Sequence, residues 1–133
     1  MIKLMLDTNI CIYILKQRPD SVLKALQRYK IGDIGVSMIV YGELVYGAYK
    51  SLKKIENLAA IEMLMDMLEL MPVNEEVIHH YATVRSELAK QGQIIGANDL
   101  WIAAHALSLD IPLVINNAKE FCKVPNLECL NWV

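Results

Sequence analysis

The chain predicts an α/β fold: a three-layer α/β/α sandwich with helices on both faces of a central, mainly parallel twisted sheet. Three observations predict it. Apolar runs alternate along the sequence between strand-like and helix-like patterns. The segments between successive strands are long enough for helical crossovers, which parallel pairing requires. Punctuation at Pro19, Gly32, Pro72, Asn74 and Gly92 falls at the boundaries of these runs.

The elements follow in order. Ile2 to Leu6 reads as a buried strand, and a helix follows from about Asn9 to Lys16. Pro19-Asp20-Ser21 opens a second helix to about Tyr29, and Gly32 punctuates the turn beyond it. Ile34 to Met38 reads as a second strand, followed by helices from about Ile39 to Ser51 and about Ile55 to Leu70. Leu70 to Val73 is a candidate strand that Pro72, lacking an N–H, confines to an edge or an end. Asn74 is a suitable N-cap, with Glu75 and Glu76 in the first turn, for a helix ending near Gly92. A helix over Ala97 to Leu109, a strand over Pro112 to Asn116, a helical turn over Ala118 to Phe121 and a short strand over Leu127 to Leu130 complete the pattern. In open parallel sheets a site lies beyond the C-terminal strand ends. Asp7 and Asn117 stand at two such ends.

Composition narrows the function. At 133 residues the chain reads as one domain, 1–133, able to fold without staples. A hydrophobic fraction of 55% hints at an apolar interface beyond the core. The longest apolar stretch, Ile61 to Val73, is broken by Glu62, Asp66 and Glu69 and is too short for a membrane span, so no membrane association is expected. Asp7 also interrupts the N-terminal apolar run too early for a signal peptide. Cys11, Cys122 and Cys129 form an odd set without CxxC spacing, which reads as free thiols in a reducing cytoplasm. The net charge of −2 argues against a general electrostatic grip on nucleic acid, but not against a local basic rim.

Three acids carry the chemistry. Asp7 closes the apolar run Met1-Ile-Lys-Leu-Met-Leu. Glu43 has Ile39, Val40, Tyr46 and Gly47 at i−4, i−3, i+3 and i+4, so helix periodicity points it towards the core. Asp99 has Ile102, Ala103 and Ala106 on its face. Each alone reads equally well as a cap or a buried ion pair, but together they lack cationic residues on the same faces. Two carboxylates about 5 Å apart repel by roughly 3 kcal/mol at an effective dielectric near 20. Several such pairs would erase much of a typical domain stability of about 5–15 kcal/mol. A hard divalent cation, Mg²⁺ or Mn²⁺, removes that penalty and suits phosphodiester chemistry.

Leu6-Asp7-Thr8-Asn9, Glu43-Leu44-Val45-Tyr46-Gly47-Ala48 and Ile95-Gly96-Ala97-Asn98-Asp99-Leu-Trp-Ile102-Ala103-Ala104-His105-Ala106 resemble the three acidic motifs of PIN-domain nucleases. The resemblance extends to Asn116-Asn117-Ala118-Lys119-Glu120-Phe121, covers essentially the whole chain, and is closest to enteric-type VapC toxins of bacterial toxin–antitoxin pairs. It implies a PIN fold, a Mg²⁺- or Mn²⁺-dependent endoribonuclease, a homodimer, and inhibition by a VapB-type antitoxin. It makes Asp7, Glu43 and Asp99 metal ligands, with Thr8 and Asn9 organising the loop behind Asp7. The enteric-type likeness further implies cleavage of tRNA, in the anticodon stem-loop of initiator tRNA. One position departs from the family. Many PIN domains carry Asp after the fourth motif's strand, with a hydroxyl residue two positions earlier; here these are Asn117 and Ile115. Asn117 can ligate through its carbonyl but adds no charge, and Glu120 is the candidate to supply the missing carboxylate. Their bland readings are a turn residue and an exposed helix acid.

The remaining candidates read mostly as structure. His79 and His80 face different directions on one helix, and His105 lies off the face of Asp99, so structural or surface roles are expected. Met63, Met65, Met67 and Met71 suit core filling, with part of that stretch, including Leu64 and Leu68, available for a dimer interface or an antitoxin groove. Lys50, Lys53 and Lys54 form the clearest basic cluster, either a solvated face or a rim that positions RNA phosphates. Trp101 and Tyr46 have the chemistry to stack on bases, although helical settings favour packing. Two rivals remain at this level. One is a catalytically silent RNA-binding PIN-like module, and the other a structural acidic domain without a metal.

Overall fold

The structure is a computed structural model that describes residues 1–116 and 118–133. Five strands form one sheet: β1 (Leu4–Leu6), β2 (Ile34–Ser37), β3 (Glu69–Met71), β4 (Leu113–Ile115) and β5 (Cys129–Asn131), in the order β3-β2-β1-β4-β5. Every pairing is parallel, with Met5 opposite Gly35 on one side and Leu113 on the other. The helices are α1 (Thr8–Lys16), α2 (Asp20–Leu26), α3 (Met38–Tyr49), α4 (Lys54–Met67), α5 (Glu75–Lys90), α6 (Ala97–Leu109) and the short α7 (Ala118–Phe121). The strand order reverses its direction at β1. Right-handed crossovers therefore carry α1 to α4 over one face of the sheet and α5 to α7 over the other.

The central strands are buried on both faces, as an all-parallel sheet between helices demands. Leu4, Met5, Leu6, Val36, Leu113 and Val114 are almost wholly inaccessible. The candidate strand at Pro72 is β3, an edge strand that ends one residue before that proline. The predicted N-cap at Asn74 forms, its side chain accepting from the Val77 N–H at 3.2 Å.

Several expected boundaries shift, β1 beginning at Leu4 and β3 ending at Met71 among them, and three have a visible backbone cause. Helix α2 ends at Leu26 rather than near Tyr29, because the chain leaves it through successive turns closed by the Arg28 and Tyr29 N–H groups. Helix α4 stops at Met67, since Leu68 is already extended (φ −116°, ψ 161°) and leads into β3. The last strand begins at Cys129 rather than Leu127, following Asn126 in the left-handed region at φ 67°.

Candidate metal centre

The site forms where the strand order reverses, between the C-terminal ends of β1 and β4. The Asp7 N–H donates to the Val114 carbonyl at 3.0 Å, fastening these two ends together. The Asn9 amide donates to Asn116 Oδ1 at 3.4 Å, and Asn116 in turn donates to the Tyr13 hydroxyl. Such a switch point is a crevice by construction, since neighbouring crossovers leave towards opposite faces.

Asp7 is the N-cap residue of α1, yet its side chain makes no capping bond to that helix. It is 3% exposed. Burial first, then the charges of Asp99 and Glu43, raise its pKa from 3.8 to about 6, against the partial pull of the nearby Thr8 and Asn9 N–H groups. Asp99, in the first turn of α6, is also raised, first by burial and then by the charges of Glu43 and Glu120. Glu43, in the middle of α3, is held from both sides. The Thr8 hydroxyl donates to its Oε1 at 2.5 Å and the Asn98 amide to its Oε2 at 3.2 Å.

Periodicity pointed Glu43 and Asp99 towards the core, but both are only half-buried. The faces on which they lie run out of the core into the crevice: Tyr46, one turn beyond Glu43, is 66% exposed. Helix spacing reports which residues share a face, and only the packing of neighbours decides where along that face the core stops.

Asp7, Glu43 and Asp99 thus belong to one electrostatic cluster drawn from the junction of β1 and α1, from α3 and from α6. Among the described residues none of them has an ion-pair partner; the ion pairs there join Lys3 to Asp33, His79 to Glu75 and Lys123 to Glu120. Neither do any three acidic, histidine or cysteine side chains among the described residues close up into a ligand shell. Carboxylates that repel and lack counter-charge stand apart in this way. The donor set is all oxygen and anionic, held by neutral hydroxyl and amide groups, which fits a hard divalent cation better than a soft one.

A PIN domain model matches residues 4–127. The chain belongs to the PIN-domain family. Among curated proteins, this PIN domain is 43% identical over 129 residues to Ribonuclease VapC2 of Rickettsia felis, covering 96% of each chain. It is 38% identical over 132 residues to the tRNA(fMet)-specific endonuclease VapC of Shigella flexneri, covering 99% of each. Among solved structures, the complex VapBC2 from Rickettsia felis, bound to a DNA fragment from its promoter, contains a chain that superposes with a TM-score of 0.93 at 41% identity over 100% of both chains.

The other predicted residues of the PIN domain separate. Glu120, on α7, lies close enough to Asp99 to raise its pKa. Its own carboxylate accepts from the Gly96 N–H at 3.4 Å and stands 3.7 Å from the Lys123 ammonium. It is a rim acid with a cationic partner, unlike the central three. Asn117 lies outside the described residues. His79 and His80 are exposed on α5, where His79 stands 3.8 Å from the Glu75 carboxylate. His105 is buried, with Nδ1 2.8 Å from Ser37 Oγ, and burial lowers its pKa. Met65, Leu64 and Leu68 fill the core, whereas Met63 and Met67 are exposed. Trp101 packs as expected, stacked on Tyr81 at 3.6 Å between centroids, but Tyr46 does not.

Sequence reasoning left two contributors of the PIN domain without a role. Asn98 was read only as part of a motif, although its position beside Asp99 at a helix start is a signal for a residue facing the crevice. Ser37 caps α3 by accepting from the Ile39 N–H at 3.1 Å, and so fixes the start of the helix that carries Glu43. Ser before a helical run was visible in the sequence; its pairing with His105 was not.

Proposed function

We propose that this PIN domain is a divalent-metal-dependent endoribonuclease, the toxin of a toxin–antitoxin pair. The observation that carries the reading is the convergence of Asp7, Glu43 and Asp99 at the sheet's switch point without a cation of their own. Relatives named as VapC ribonucleases support hydrolysis over silent RNA binding, and the VapBC neighbour supports a VapB-type antitoxin as partner. The Shigella relative's name supports initiator tRNA as substrate; the cut in its anticodon stem-loop is what the enteric-type resemblance implies. A cytoplasmic homodimer with Mg²⁺ or Mn²⁺ as the ion completes the proposal. No helix among the described residues is long and apolar enough to cross a membrane.

Asp7, Glu43 and Asp99 would hold the ion, with Glu120 assisting from the rim; Asn117, by its place in the sequence, is a further candidate donor. When bound, a divalent cation polarises the scissile phosphate, acidifies an attacking water and offsets charge on the leaving oxygen. The chain's own residues prepare that step. Thr8 and Asn98 fix the Glu43 carboxylate in one orientation, so little reorganisation is needed when the substrate arrives. Asp7 carries a proton below about pH 6, so cation binding in that range releases it. Hydrolysis in this sense leaves 3′-hydroxyl and 5′-phosphate ends.

The test is incubation of the purified chain with total tRNA in Mg²⁺, Mn²⁺ or EDTA, with end-sequencing of fragments. Discrete metal-dependent cuts that disappear in folded Asp7→Asn are expected. Cleavage retained by that variant would remove Asp7 from the mechanism, and intact RNA of every kind with Mn²⁺ would defeat the nuclease reading.

A further inference from the structure

One face of α3 carries more than the Glu43 carboxylate. Glu43, Tyr46, Gly47 and Lys50 are spaced i, i+3, i+4 and i+7, a single helical stripe running from the carboxylates to the helix end. The stripe floors an open groove of about 610 Å³ that also takes in Thr8 and Asn98, the two residues that hold Glu43. Tyr46 is 66% exposed, and the Lys50 ammonium rests over its ring, 4.9 Å from the centroid. Gly47 lies in the last turn of α3, where a glycine still costs helix stability, and a Cβ there would meet nothing within 4 Å. No internal packing therefore accounts for the glycine. A smooth groove floor next to an exposed aromatic ring and a cation is what close approach of a ligand from outside requires.

Resting on the ribonuclease reading, we propose that this stripe is the subsite for the nucleotide adjoining the scissile phosphate, in a single-stranded part of the RNA. The Tyr46 ring stacks on the base, Lys50 meets the backbone phosphate, and the bare backbone at Gly47 lets the sugar lie against the helix. Charge complementarity selects RNA as the occupant: the groove joins an anionic metal centre, which needs a polarised phosphate, to a cation one helical turn beyond the aromatic ring. An exposed cation–π contact is weaker than base stacking, so Lys50 leaves the ring for the phosphate when a base arrives.

The test uses the full chain and a fluorescein-labelled single-stranded RNA decamer. Binding is followed by anisotropy in EDTA, where no metal-dependent turnover occurs, and cleavage is measured separately in Mn²⁺. Tyr46→Ala is expected to weaken binding about 5- to 150-fold, the range of one lost base stack, while Tyr46→Phe stays near the native value. Lys50→Gln should lower the slope of log affinity against log salt by about 0.7, and Lys90→Gln on α5 serves as the control lysine. Gly47→Ala should weaken binding while the melting temperature holds or rises, which separates obstruction from misfolding. Native binding and cleavage by both Tyr46→Ala and Lys50→Gln would overturn the proposal and leave the stripe to a protein partner. RNA binding that depends on Tyr46, with total tRNA also left intact in Mn²⁺, would sink the nuclease reading and leave the stripe as an RNA-binding surface without a scissile phosphate. A native chain that binds no RNA even at low salt would sink both.

Discussion

Asp7 shows how one residue links stability to chemistry. Its folded pKa, about 6, lies above the 3.8 of an unperturbed aspartate. Between about pH 4 and 6 the folded chain therefore binds more protons than the unfolded chain, and Asp7 subtracts stability as pH rises through that window. Above it the metal-free protein carries the full penalty, up to about 3 kcal/mol for a shift of about two pH units. Asp7→Asn in EDTA should accordingly be more stable than the native chain at pH 7.5 and indistinguishable from it near pH 3.5. Urea unfolding at the two pH values checks this, and a variant less stable at pH 7.5 would refute it. The Thr8 hydroxyl acts one step back, through Glu43. Thr8→Val keeps the shape and removes the donor, with an expected loss of about 10- to 100-fold in metal affinity or activity. Isothermal titration with Mn²⁺ measures it directly. At this scale the sequence was informative about identity and poor about neighbours: Asp7 announced itself by interrupting an apolar run, while nothing local linked Thr8 to a residue 35 positions away.

At the scale of elements, the site depends on how α3 and α6 are set against each other. Ser37 caps α3 and His105 lies within α6; both are buried, 68 positions apart, and bonded at 2.8 Å. Each helix carries one of the acids, Glu43 six residues past Ser37 and Asp99 six residues before His105. Ser37→Ala removes the cap of α3 and strands a buried imidazole, for an expected cost of about 2–4 kcal/mol. His105→Phe should cost less, because the Ser37 hydroxyl keeps its capping role. A double-mutant cycle by chemical denaturation should return a coupling of about 1 kcal/mol or more, and additivity would show that the pair does not join the helices. The elements themselves were largely legible. Helices α6 and α7 run over the predicted residues, and Pro72, read as confining its strand to an edge or an end, directly follows the last residue of the edge strand β3. Boundaries failed where backbone conformation, rather than side-chain pattern, ends an element, as at Leu68 and Asn126.

For the molecule as a whole, the proposed metal site makes cation binding and folding one equilibrium, because the unfolded chain does not assemble the three acids. A cation at 100 times its dissociation constant should stabilise the native chain by about 2.7 kcal/mol and raise its melting temperature accordingly. Melting curves across a Mg²⁺ or Mn²⁺ titration test this, and Asp99→Asn should respond far less; equal responses would place the ion elsewhere. The apolar surplus in the composition also finds its place at this scale: Leu52, Ile55, Ile31 and Ile94 are largely exposed, the surface that a chain with 55% hydrophobic residues could not all bury. By itself the sequence determined the α/β class and the order of the elements, and it singled out the three acids. Each of these follows from a repeat of two or 3.6 residues, or from a charge set against apolar neighbours, and both are properties of short stretches of chain. Only the tertiary structure decided that β1 lies between β2 and β4. That order brings Thr8 and Asn98 to Glu43, buries His105 against Ser37, and lifts Glu43, Asp99 and Tyr46 out of the core into a crevice. Contacts between residues 35, 55 and 68 positions apart depend on which strands neighbour which, and no local period encodes that choice.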